Sequence, residues 1–167
     1  MPESAPIQTA DLRAALLDQL AYLIDEIEAL KAVVERVPPP LQEAHPQRED
    51  LSMKELYGLL ATLDEAVYRP RLRQMIAEDT PAFGTVDEAA LAAEAGWNEQ
   101  PLGTILDRVQ EARRALLSFL HTLPPEAWSR TARFGDEHRD LYSLAHHIIQ
   151  HNVDLLRTIG YRLNELL

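Results

Sequence analysis

The chain has 167 residues, 27 acidic against 16 basic side chains, and a formal net charge of −11. Such a balance argues against a nucleic-acid binder, whose partner's phosphates call for a cationic footprint, and against docking on an anionic membrane surface. There is no cysteine, which removes disulfides, thiolate metal clusters and a cysteine nucleophile together.

The length fits one domain over residues 1–167. No stretch reaches the ~20 uninterrupted apolar residues of a membrane span. Residues 1–8 read as a flexible tail. Met1-Pro-Glu-Ser-Ala-Pro-Ile carries neither the basic nor the apolar part of a secretory signal. A cytoplasmic location is the expectation. The glycine-rich phosphate loops of common nucleotide-binding proteins are absent.

In chain order the elements are helical. Between Thr9 and Val37, the apolar residues Leu12, Leu16, Leu20, Leu23, Ile27, Leu30, Val34 and Val37 recur three or four positions apart. That spacing lays one stripe along an α-helix and is incompatible with a strand. At about 28 residues the helix is roughly 42 Å long, so one end is expected to project or to serve a dimer contact. Pro38-Pro39-Pro40 stops it, and residues 41–50 read as loop.

Ser52-Met53-Lys54-Glu55 is a capping box, flanked by Leu51 and Leu56 at the staple positions. The second helix runs on through Leu59, Leu60, Leu63 and Val67. Pro70 should kink or break it before a further helical piece over 71–77. A long connection over about 78–101 contains a short helix at 87–95, ended by Gly96. The third long helix is expected over 102–123, stopped by Pro124-Pro125, with one more turn at 125–128. Residues 130–139 read as a polar loop. A fourth helix starts near Asp140, its stripe formed by Leu141, Leu144, Ile148, His151, Leu155, Ile159 and Leu163. Four long amphipathic helices define an all-α four-helix bundle, with a long connection between the second and third.

The chemistry-bearing residues gather on the fourth helix. His147 and His151 stand four apart, so both rings can lie on one face and share a metal ion. His151 falls in the apolar stripe, where each ring nitrogen needs a partner. A buried histidine bonded to a carbonyl or hydroxyl satisfies that need equally well. The H-E-x-x-H glutamate of zinc proteases is missing. His146 is expected in solvent. Glu55 is explained by capping, but it shares a face with Leu59 and can also look inward as a possible third ligand. Asp64 and Glu65 read as surface charges, as do the histidines at 45, 121 and 138. Trp97 and Trp128 read as seals at the bundle ends.

Four segments together resemble the DinB/YfiT-like superfamily of four-helix bundles. Residues Leu51 to Leu60, LSMKELYGLL, resemble that family's W-S-x-x-E-[LV]-x-x-H-L start of the second helix. Residues 78–83, EDTPAF, resemble the stretch that follows that helix. Leu120 to Trp128 is similar to its leucine-rich end of the third helix and L-P-x-E-x-W. Gln150 to Ile159 resembles its [EQ]-H-[DN]-x-x-H-L-x-Q-I. The resemblance implies a bundle holding nickel or zinc on three histidines, one from the second helix and two from the fourth. It also implies metal-dependent hydrolase or thiol S-transferase chemistry, and frequent homodimers.

Leu59 stands at the family's second-helix histidine, and in the best register His151 and Leu155 stand at the pair on the fourth. A register one turn away matches His147 and His151 instead. Two readings follow. The favoured one is a stress-related or small-molecule-binding bundle, homodimeric, that has lost the three-histidine site and holds no cofactor. The other is a divergent hydrolase or thiol S-transferase with a divalent metal (nickel or zinc) on His147, His151 and a third ligand such as Glu55.

Overall fold

A computed structural model describes residues 9–166; the expected tail over residues 1–8 lies outside them. Helix α1 spans Ala10–Val34, and the Thr9 side chain accepts from the Leu12 amide at 3.2 Å to cap it. At 25 residues it is shorter than the stripe suggests. Leu12 is half exposed, and Val37, though buried, follows the helix end. The triple proline does more than stop α1. Pro39, with its φ preset for a first helical position, opens a short α2 over Pro39–Glu43, where the sequence suggested only loop.

The capping box opens α3, Met53–Thr62. Ser52 Oγ accepts from the Glu55 amide at 3.1 Å, and the Glu55 carboxylate accepts from the Ser52 amide at 3.0 Å. Pro70 does not break the second rod. A π-turn over Leu63–Tyr68 precedes it, and the Arg69 amide reaches back five residues to the Asp64 carbonyl. The wider turn takes up the missing proline donor, and the rod continues as α4, Arg69–Ala77. Helix α5 covers Glu88–Glu94, with the Asp87 side chain capping the Ala90 amide at 3.1 Å.

The remaining rods are α6, Leu102–His121, and α7, Leu141–Leu166. Both α1 and α3 pack chiefly on α6 and α7, so α1 faces α3 across one diagonal of the bundle. The stripes meet there: Leu20, Ile27, Leu60, Ile105, Leu116 and Ile148 are fully buried, each worth about 1.5–3 kcal/mol in transfer from water. Trp97 is buried against the flank of α3 at Gly58, where a Cβ would come within 2.3 Å of the indole. Its indole N–H donates to Thr62 Oγ1 at 3.1 Å. Trp128 is buried edge-on to Tyr142.

Residues 130–139 are not a plain loop. They hold the antiparallel strands β2, Thr131–Phe134, and β3, Glu137–Asp140, once β1, Ala82–Phe83, is counted first in the chain. β1 pairs in parallel with β2, giving a small sheet in the order β1-β2-β3. Gly135 at φ 60 makes the two-residue turn that pairs Phe134 with Glu137. A residue with a side chain is disfavoured in that left-handed region. Arg130, just before β2, donates to the carbonyls of Met75 at 3.0 Å and Glu78 at 2.7 Å. These bonds satisfy carbonyls left open where α4 ends and fasten the sheet to it.

Asp64 is not a surface charge. It is 2% exposed, and Arg113 of α6, 1% exposed, grips it at 2.7 and 3.0 Å. The same guanidinium donates to Leu20 O at 3.0 Å and Asn152 Oδ1 at 2.7 Å, tying all four rods together. Glu65 does lie nearer the surface, paired with Arg108.

Candidate ligand pocket

A cleft of about 750 Å³ opens between the π-turn, α4, the small sheet and α7. Its position follows from the elements just described: the sheet is pinned to the end of α4, and α5 returns the chain alongside α7. His147 and His151 line it together, as their spacing predicts. Their rings stack 6.2 Å apart and only 2° from parallel.

His151 is half-buried rather than part of the core. Its Nε2 lies 2.7 Å from Glu88 Oε1, at the first turn of α5. That hydrogen bond raises the histidine's pKa above its ordinary value, outweighing the opposing effect of burial. His147 moves the other way, lowered chiefly by partial burial and further by Arg139 and His151 nearby. His146 is exposed, as expected. The buried residue of this stretch is Asn152, held by Arg113.

Glu55 is elsewhere. Its carboxylate is engaged by the Ser52 amide and by His45 Nε2, and it does not line the cleft. The carboxylate beside His151 is Glu88, which the sequence reading did not single out. Leu59 is 1% exposed and Leu155 is 9% exposed, both within the apolar core.

Two arginines complete the site, and neither was singled out from sequence. Arg71 of α4 lies 5.0 Å from the Phe83 ring centroid and 5.7 Å from that of Phe134. Its Nη2 donates to Gly84 O at 2.7 Å. No carboxylate pairs with it among the described residues. Burial lowers its pKa, yet an arginine remains charged. Arg139 of β3 lies 5.7 Å from the Phe134 centroid and bonds Glu137 at 3.1 Å. Burial raises the pKa of the Tyr68 phenol on the same wall. The signal available for this wall was Gly135-Asp136 between two short alternating runs, which marks a hairpin.

The residues do not fit a three-histidine metal centre. Zinc and its relatives need three protein nitrogens or oxygens converging at about 2.0–2.2 Å. Among the described residues, no three histidine, aspartate or glutamate side chains gather in that way. Stacked parallel rings do not aim their nitrogens at one point, and Glu88 engages His151 Nε2.

No family model matches the sequence, and no curated protein does. Among solved structures, YfiT from Bacillus subtilis matches with a TM-score of 0.67 at 20% identity. The match covers 96% of this chain and 93% of that one. YfiT is described as "a probable metal-dependent hydrolase with an unusual four-helix bundle topology". The chain shares YfiT's four-helix fold, in agreement with the resemblance read from its motifs.

Proposed function

We propose that this protein is a YfiT-like bundle that binds a small organic molecule in the cleft beside His151 and does not use three-histidine metal chemistry. The observation that carries the reading is the pair Leu59 and Leu155. Both are buried hydrocarbon at the positions where the resemblance calls for ligating histidines. Leucine supplies no lone pair, and a volume of about 750 Å³ is in the range of small-molecule pockets.

The test is elemental mass spectrometry on untagged protein, with melting curves in the presence and absence of added nickel or zinc. The expected result is substoichiometric metal and an unchanged melting temperature. Near-stoichiometric metal with a raised melting temperature would overturn the reading, because a ligand bound only by the folded state must stabilise it. One observation favours the second reading, a divergent metal-dependent hydrolase or thiol S-transferase. His147, His151 and a carboxylate, Glu88, all line the same cleft. That reading requires both rings to turn and His151 to release Glu88, and it predicts that the same measurement finds metal.

A further inference from the structure

The charges lining the cleft are unlike those of the whole protein. The chain carries a net charge of −11, yet the cleft is lined by Arg71, Arg139, His147 and His151 against one carboxylate, Glu88. Most of this charge is already matched. Glu88 holds His151 at 2.7 Å, and Glu137 holds Arg139 at 3.1 Å. Arg71 alone among the two arginines has no carboxylate, and a single backbone carbonyl engages it. A guanidinium has five N–H donors in a planar fork that matches a carboxylate in bidentate fashion. One spare positive charge calls for one negative charge, not two.

The body of the ligand is set by what surrounds that fork. Phe83 and Phe134, 5.6 Å apart and inclined at 56°, flank Arg71. Val67 and Leu144 supply further apolar wall. Inclined aromatic rings favour an aromatic guest through edge-to-face contact.

Granting the small-molecule reading above, we propose that the ligand is a small aromatic monocarboxylate, with its carboxylate on Arg71 and its ring among Phe83, Phe134 and Leu144. The guanidinium stays over the two phenylalanines and supplies its free N–H groups to the two carboxylate oxygens. His151 remains on Glu88 and borders the far side of the guest.

The experiment uses the full chain and three probes of one shape: 3-phenylpropionate, 3-phenylpropionamide and 3-phenylpropylamine. Calorimetry gives the Kd, and the ring signals of His147 and His151 in carbon–proton NMR report whether the cleft is the place of binding. The expected result is saturable one-to-one binding of the acid, with shifts at both histidines and much weaker binding of the amide and amine. Arg71→Met should raise the Kd of the acid about ten- to hundredfold. Arg71→Lys, which keeps the charge without the fork, should fall between, and so separates lost recognition from a distorted loop at Gly84. Equal binding of the acid and the amide or amine, or an acid Kd unmoved by Arg71→Met, would sink the carboxylate assignment and leave the small-molecule reading standing. Silence from all three probes to millimolar concentration would also overturn the assignment. Metal uptake in the preceding experiment is the separate result that removes the reading beneath it.

Discussion

Replacing Asp64 by asparagine tests the centre of the bundle. The substitution keeps the shape of the side chain and removes its charge, leaving Arg113 as a cation 1% exposed with no counterion. Breaking one side of a buried pair in this way costs about 3–5 kcal/mol. For a domain of this size each kcal/mol lowers Tm by about 2–4 °C, so the expected fall is roughly 6–20 °C. Urea unfolding followed by circular dichroism reads the free energy directly, with an unchanged m-value as the check that the denatured state is unaltered. The double variant Asp64→Leu with Arg113→Met removes both charges and should cost less than the sum of its two single changes. Its cost is not zero, because Leu20 O and Asn152 Oδ1 lose their donor. A loss below about 1 kcal/mol for Asp64→Asn, or simple additivity in the double variant, would refute the claim that this pair acts as one buried unit.

Gly58→Ala places a methyl against the Trp97 indole and should destabilise by about 1–3 kcal/mol, with a red shift of tryptophan fluorescence as the ring is displaced. The two cleft histidines should bend the pH–stability curve in opposite senses. The raised pKa of His151 contributes stability that is whole below the ordinary 6.5 and is lost as pH rises through the higher folded value. The lowered pKa of His147 contributes stability that is whole above 6.5 and is lost as pH falls toward its folded value. Unfolding free energies in a pH series should therefore decline on both sides, and Glu88→Gln should flatten only the alkaline decline. A decline that survives Glu88→Gln assigns it to another group. His151→Ala should cost no more than about 1 kcal/mol, since the pair it breaks is partly solvated, and the loss should be the same with and without added nickel.

The long helices were legible because each carries its own signal. The stripe of α6 and the capping box of α3 depend on residues a few positions apart, and chain geometry alone converts those spacings into faces. The features that escaped depend on distant partners. Asp64 has the local look of a surface residue and is buried only because Arg113 meets it from 49 positions away. Glu88 reaches His151 across 63 positions. The pairing of His147 with His151 was readable from spacing, whereas the identity of the neighbouring carboxylate was not. Glu55 was a reasonable candidate by face but was committed to the Ser52 amide and to His45. The sheet escaped because its three strands are two to four residues long and β3 is wholly polar, so they have no apolar alternation to announce them.

The π-turn at Leu63–Tyr68 makes the cleft sensitive to residue count rather than residue type. Each residue of an α-helix advances the next side chain by about 100° around the axis. A wide turn shifts the phase of everything downstream of it, including Arg71, three positions beyond its end. Deleting one residue there would rotate α4 by about 100° relative to α3. Arg71 would be carried out from between Phe83 and Phe134, and Leu72 and Met75, now buried, would swing off the core. A single-codon deletion well outside the cleft, one that alters none of its residues, is thus enough to dismantle it.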